Sequence, residues 1–455
     1  MRRKRVLIAN RGEIAVRIIK ACEESDLETV LVVSEADKDS LPARLADKVV
    51  CIGPPQVNLS YLNIPMIIAT ALGSGVDAIH PGYGFLAENP KLPEACEKNG
   101  IIFIGPRSET MRQLGDKVRA RELATTCDVP VNAGSKGITQ YSDIEAKAQE
   151  IGFPVLIKAS AGGGGRGMRI VTEPKNLKNA FNMAFNEAKQ AFGDPTLFVE
   201  RFVQNARHVE VQILADDFGR VIHLGQRDCS SQRRYQKVIE EAQPIGLPKS
   251  LTDSISEAAI ALARGINYNN AGTVEFLVDI DREQFYFMEV NTRVQVEHPV
   301  TEEITGVDLV KEQVRIAFGH SLSMNQSDVQ FAGHAIECRV TAENPMNDFM
   351  PTPGRISRFV VPYGDHVRVD THCHQGYMIS PFYDSLMAKV IATGDNRELA
   401  LQNMKKALSE FEIEGVKSNI PFLQFLINRP EFAEGKINVK WIENTVLPEF
   451  TQKDK

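Results

Sequence analysis

Two hydrophobic periods alternate along this chain, and the switches between them outline its elements. Residues 5–9, Arg5-Val-Leu-Ile-Ala9, form a short apolar run that predicts a buried strand, and over 13–22 the positions Ile14, Ile18 and Cys22 fall on one face at helical spacing. A strand followed by a helix recurs through 29–34 and 101–105, which predicts a doubly wound α/β domain over residues 1–114. From Gly115 a second region contains the densest glycine run, flanked by strand-like stretches 153–158 and 168–171 that predict a hairpin. A helical pattern over 177–191 and a strand over 197–202 complete a small α+β lobe within 115–332. From Gly333 the pattern is strand-rich, then helical from Arg397 through Leu426, with Pro421 expected to break the helices. The fold class is therefore multidomain α/β and α+β, with a third, C-terminal α+β unit over 333–447.

Composition narrows the function classes. A chain of 455 residues exceeds what one hydrophobic core serves, in keeping with several domains. A net charge of −7 argues against a broad phosphate-tracking surface, so no nucleic-acid partner is expected. Only residues 6–9 follow the basic start as an apolar run, and no stretch approaches the roughly 18 apolar residues a membrane helix needs. A cytoplasmic protein with no membrane contact is expected. The seven cysteines lack C-x-x-C spacing, as suits reduced thiols. His372-Cys373-His374 is not read as a metal site, because an extended chain sends neighbouring side chains to opposite faces.

Candidate chemistry begins at Ala161-Gly-Gly-Gly-Gly-Arg-Gly167, where backbone N–H groups can follow phosphate oxygens closely. The run lacks the G-K-[ST] ending of a P-loop, and the opening turn at Gly12 lacks a dinucleotide fingerprint. Lys158 ends the strand entering the loop and supplies a point charge there; Lys117 is a less specific cation.

The strand patterns 274–278 and 285–290 make a hairpin that sets Glu275 opposite Glu289, with side chains roughly 5 Å apart at Cβ. Such a pair calls for a cation, and Mg²⁺ shared with substrate phosphates suits it; Asn291 lies on the same face. Arg293, Gln295 and Glu297 continue that face, but a straight strand would separate Glu289 from Glu297 by roughly 26 Å, so a bend is required. An arginine fork suits a planar carboxylate-like anion such as bicarbonate, and Glu297 can take its proton. The basic stretch 227–237, with three arginines and Lys237, reads as an anion site, and in 335–340 the alternation takes Arg339 off the core face.

These segments together resemble the biotin carboxylase family of ATP-grasp enzymes over nearly the whole chain. The matching stretches are Ile8–Ala15, His80-Pro-Gly-Tyr-Gly-Phe85, Gly162–Met168, Arg227–Lys237, Phe287–His298 and Tyr383-Asp-Ser385. The resemblance implies an N-terminal α/β domain, an ATP-grasp domain with a lid near 131–203, and a C-terminal domain. It implies that Lys117, Lys158, Gly164, Gly165 and His208 contact ATP while Glu200, Arg201, Phe202 and Val203 hold its adenine. Glu275, Glu289 and Asn291 are the implied Mg²⁺ ligands, with Mn²⁺ as an alternative. Lys237, Arg293, Gln295 and the Val296 backbone are implied to bind bicarbonate, Glu297 to act as base and Arg339 to contact biotin. Tyr235 stands where the family usually has histidine beside the nucleotide, and Ala161 where its glycine run often begins.

The implied reaction is ATP- and bicarbonate-dependent carboxylation of biotin through carboxyphosphate. No Met-Lys-Met biotin-attachment sequence occurs, so the biotin is expected on a separate carrier protein, with a carboxyltransferase component as further partner and a homodimer as assembly. A carbamoyl-phosphate-forming ligase would show a duplicated ATP-grasp half, and a non-enzymatic relative would lack charged site residues; neither pattern is present.

Overall fold

The computed structural model describes residues 3–135, 137–159 and 168–452. The apolar N-terminal run becomes strand β1 (Arg5–Ile8) in a parallel sheet with β2 (Glu28–Val33), β3 (Lys48–Cys51), β4 (Ala78–His80) and β5 (Ile102–Phe103), ordered β3-β2-β1-β4-β5. Helix α1 (Gly12–Glu23) packs Ile14, Ile18 and Cys22 into the core against Val6 and Ile8, as their spacing predicts. Strands β3 and β4 are absent from the sequence reading; β3 is largely exposed and β4 has only three residues. The strand expected over 101–105 is only two residues long.

The small lobe is a three-stranded sheet of β6 (Val155–Ala159), β7 (Met168–Val171) and β8 (Leu197–Arg201), ordered β7-β6-β8. Strands β6 and β7 pair antiparallel as the predicted hairpin, from Val155↔Val171 to Lys158↔Met168. Its helix Leu177–Phe192 lays Leu177, Phe181, Ala184 and Ala188 on Val155, Ile157 and Val199. Ala161, Gly164 and Gly165 lie outside the described residues.

The body is one antiparallel sheet of eight strands: β9 (Ala206–Ala215), β10 (Val221–Arg233), β11 (Gln236–Ala242), β12 (Asn270–Asp279), β13 (Gln284–Asn291), β14 (His334–Thr341), β15 (Val367–Thr371) and β16 (Leu386–Gly394). Their order is β13-β12-β9-β10-β11-β14-β16-β15. The sheet runs through residue 333, where the strand-rich unit was expected to begin: β11 pairs with β14 at Ile239↔Cys338 and Glu240↔Glu337. Behind the central strands the helix Lys249–Gly265 packs Ile255, Ala259 and Leu262 on Val209, Val211, Val274 and Phe276. Pro421 opens a helix instead of breaking one. It sits in the first turn of Ile420–Ile427, where a missing N–H costs nothing, and a short strand, Glu412–Glu414, separates that helix from Arg397–Glu410.

Candidate active site

Two cavities meet between these units. One, of about 770 Å³, lies among the ends of β10, β11, β13 and β14 and the N-terminal residues Glu13 and Tyr83. The other, of about 420 Å³, lies between the small lobe and β12–β13. His208, Tyr235, Glu275 and Glu289 line both.

The second cavity gathers every described residue assigned to the nucleotide. Lys117 opens the helix Lys117–Thr126, and Lys158 comes from β6. Lys158 pairs at 2.7 Å with Glu200, which also receives Arg121 at 2.9 Å. Arg201, Phe202 and Val203 follow on the same wall, with Leu156, Leu277 and Phe287 adding apolar surface. A narrow, mostly apolar slot with a few fixed polar groups suits a purine ring.

The hairpin register is as predicted, with Glu275 directly opposite Glu289 and Thr273 opposite Asn291. Asn291 Nδ2 donates to Glu275 Oε1 at 2.8 Å, and His208 Nε2 lies 2.9 Å from Glu275 Oε2. Burial raises the Glu275 carboxyl, but Lys237 and His208 outweigh it and hold the group well below the usual range. Burial and the repulsion of Glu275 push Glu289 up, although its side chain reaches solvent. Opposed hard oxygens of this kind fit Mg²⁺. Among the described residues, the triplets whose ligand atoms come within 4.8 Å of one another are His208-Glu210-Glu275 and Glu210-Cys229-Glu297, and neither includes Glu289. Glu275 and Glu289 oppose one another across the hairpin, and Asn291 bonds to Glu275, without Glu289 joining a closed ligand triplet among the described residues.

The required bend follows at once. Strand β13 ends at Asn291, the chain turns through 292–297, and Glu297 precedes the helix His298–Thr305 without a side-chain bond to its N-terminus. This turn carries Arg293, Gln295, Val296 and Glu297 into the first cavity. Lys237 Nζ lies 2.5 Å from Glu297, 2.6 Å from Glu210 and 3.1 Å from Glu275. Arg339 donates Nη2 to Glu297 at 2.9 Å and Nε to Glu240 at 2.5 Å. Arg293 Nε reaches Glu88 at 3.1 Å and its Nη2 donates to Asn291 at 2.9 Å. Gln295 donates to Glu275 at 2.8 Å.

These pairings set the charge states. Burial opposes the charge on Lys237, but the acidic groups around it outweigh burial and hold the amine protonated. Burial likewise raises Glu297, and Lys237, Arg339 and Arg227 more than reverse it, leaving the carboxylate ionised and weakly basic. Glu240 is pushed up to about 7 by burial, with Arg339 only partly offsetting it.

The basic stretch 227–237 divides in a way its composition does not reveal. Arg227 has no exposed surface, and all five of its N–H groups go to internal acceptors: Glu210, Gln212, Thr273, Gln295 and Thr301. It is a brace between strands and the bend, not an anion site. Arg233 lies over the Phe349 ring at 3.9 Å, and Arg234 turns to Asp348 at 3.0 Å, while Lys237 reaches Glu275 and Glu297 in addition to the Glu210 it shares with Arg227. Tyr235 sits with Arg234 at positive φ (64° and 49°) in the turn between β10 and β11, with Lys440 Nζ 4.7 Å over its ring.

Glu210 and Glu240 are absent from the sequence reading of the site, and Arg227 enters it only within the basic stretch read as an anion site. One signal was present: His208, Glu210 and Gln212 alternate with Val209, Val211 and Ile213, a polar row on a strand whose other face is core. All three are buried. His372 is buried beside Gly12 in the first cavity, and burial together with Arg11 lowers its pKa to about 3, so it stays neutral.

Comparison with known proteins accounts for this arrangement. Residues 2–111 match the biotin carboxylase N-terminal domain, 116–325 the ATP-binding domain of the carbamoyl-phosphate synthase L chain, and 337–444 the biotin carboxylase C-terminal domain. The chain is 49% identical to biotin carboxylase 1 of Bacillus subtilis, over 97% of this chain and 98% of that one. It is 48% identical to the biotin carboxylase of Pseudomonas aeruginosa, over 97% and 98%. The Campylobacter jejuni biotin carboxylase–β-γ-ATP complex superposes with a TM-score of 0.92 at 44% identity, covering 97% and 98% of the two chains. The biotin carboxylase domain dimer of Hydrogenobacter thermophilus 2-oxoglutarate carboxylase, in complex with MgADP, ADP and bicarbonate, gives 0.91 at 45% identity and 97% coverage of both.

Proposed function

The chain belongs to the biotin carboxylase family, and from that premise we propose how its residues divide the work. It catalyses ATP- and bicarbonate-dependent carboxylation of biotin through carboxyphosphate, as the biotin carboxylase component of a biotin-dependent carboxylase. The observation that carries the division of labour is the convergence of Lys237, Glu297 and Arg339 at one end of a cavity whose other end opens on the nucleotide slot.

Lys117 and Lys158 neutralise the phosphates, the family resemblance adds Gly164, Gly165 and His208 to the ATP contacts, and Glu200 to Val203 hold the adenine. Glu275, Glu289 and Asn291 would hold Mg²⁺, which would offset the negative charge of the phosphates. Bicarbonate sits among Lys237, Arg293, Gln295 and the Val296 backbone. As it takes up Lys237, Glu297 loses a cationic partner, its proton affinity rises, and it removes the bicarbonate proton so that the oxygen attacks the γ-phosphate. Carboxyphosphate and ADP form. Carboxyphosphate yields CO₂ and phosphate, the phosphate takes the ureido N–H proton of biotin while Arg339 stabilises the negative ureido oxygen, and the ureido nitrogen adds to CO₂ to give carboxybiotin.

The biotin arrives on a carrier protein and a carboxyltransferase consumes the product; the final carboxyl acceptor belongs to that partner. A homodimer and a cytoplasmic location complete the reading. No helix among the described residues is long and apolar enough to cross a membrane. The domain limits we assign are 1–114, 115–332 with the lid at 131–203, and 333–447. The test is phosphate release with each component omitted in turn: bicarbonate-dependent ATP cleavage stimulated by free biotin is expected, and cleavage indifferent to bicarbonate overturns the assignment.

A further inference from the structure

Lys389 on β16 has no exposed surface and does not line either cavity. A lysine pays heavily for such burial unless every bond it makes is used. Its Nζ donates to the Val296 carbonyl at 2.9 Å and pairs with Glu13 at 3.1 Å and Asp370 at 3.6 Å. Burial works against its charge, but Glu13, Glu337 and Asp370 outweigh it and keep the amine protonated. Asp370 is already engaged by Arg368 at 2.8 and 2.9 Å. What Lys389 alone supplies is the link between Glu13 and the bend. Glu13 also accepts from the Tyr83 hydroxyl, and Tyr83, Glu13 and Val296 all line the larger cavity.

Val296 is the residue before Glu297, in a turn that is neither strand nor helix. Nothing in regular secondary structure fixes its peptide, so a hydrogen bond from a buried cation determines where its carbonyl, and with it the start of the next residue, points. We propose that Lys389 is a positioning residue for the reaction: by pinning the Val296 carbonyl and tying it through Glu13 to Tyr83, it sets the anion subsite and the opposite cavity wall as one unit. The inference rests on the biotin carboxylase reading. Lys389 joins residues from three distant stretches of chain, near 13, 296 and 389, so one side chain registers the N-terminal unit against the bend and β16.

The test uses the full chain and begins with the parent, whose bicarbonate-dependent ATP cleavage must be present; its absence defeats the functional reading itself and not this inference alone. In Lys389→Met the bicarbonate KM rises by about tenfold or more while MgADP affinity, measured by titration, stays within about twofold. Lys389→Gln, which keeps one donor for the Val296 carbonyl, recovers part of that loss. Equal losses of MgADP and bicarbonate affinity, a parent-like Lys389→Met, or Lys389→Gln no better than Lys389→Met overturns the proposal. If Lys389→Met does not fold, the double variant Glu13→Gln/Lys389→Met removes both buried charges and leaves neither unpaired. It is expected to fold with the bicarbonate KM still raised. A parent-like bicarbonate KM in the double variant, or its failure to fold, assigns Lys389 to stability alone.

Discussion

The two adjoining cavities handle charge in opposite ways. In the nucleotide slot the walls are largely apolar, and Lys158, about a third exposed, faces a single carboxylate, Glu200. In the neighbouring cavity Lys237 and Arg339 are nearly enclosed and already matched by Glu210, Glu240, Glu275 and Glu297. A large ligand is recognised by shape plus a few polar contacts. A small anion offers little surface, so its site relies on charges held in place beforehand, and binding becomes an exchange of partners within a fixed set. His208, Tyr235, Glu275 and Glu289 line both cavities and so join the two sides.

Glu297→Gln should separate the two sides most sharply. It removes the proposed base and lowers bicarbonate-dependent ATP cleavage by about 10²–10⁴-fold, with nucleotide binding little changed. A parallel fall in MgADP affinity, read by titration, would mean that the cavities are not distinct in this sense. Arg339→Met comes next, with carboxyl transfer to free biotin down roughly a hundredfold and ATP cleavage reduced far less. Equal losses in the two half-reactions contradict its assignment to biotin.

Glu241 supplies a control of similar charge density outside both cavities. Burial raises its carboxyl, but His334 at 2.9 Å and Arg397 at 2.6 Å outweigh burial and hold it at about 2. The folded-state value lies below the ordinary carboxyl value of 4.5, so the pair's stability is present above that pH and is lost as pH falls towards 2. Glu241→Gln should cost about 3 kcal/mol at neutral pH, the gap to the parent closing on acidification, with kcat near that of the parent. Chemical unfolding between pH 7 and 3 measures this, and a large drop in kcat would blur the line between stabilising and catalytic charge.

Tyr235 lies where the cavities join, and its variant carries the smallest effect. Tyr235→His keeps a ring and a hydrogen-bonding group but can gain charge between about pH 5 and 8, beside Lys440. Activity should stay within about threefold of the parent, with apparent ATP affinity changing more steeply across that window. Superimposable pH profiles would remove position 235 from the nucleotide contacts.

Features that depend on local period and on residue type at short range can be read along the chain alone. The helix carrying Ile14, Ile18 and Cys22, the hairpin around the glycine run, the pairing of Glu275 with Glu289 and the need for a bend before Glu297 were all legible, because side chains alternate or recur at known spacings. Tertiary structure decided what those residues meet. That Arg227 is a fully enclosed brace while Lys237, ten positions on, opens on the larger cavity is a matter of depth: both meet β9, β12 and the bend, but only Lys237 lines the cavity. The joining of Lys389 to Glu13 and Val296 crosses most of the chain. No local spacing encodes a contact between residues hundreds of positions apart; only the closing of the sheets brings such charges together and makes their burial tolerable.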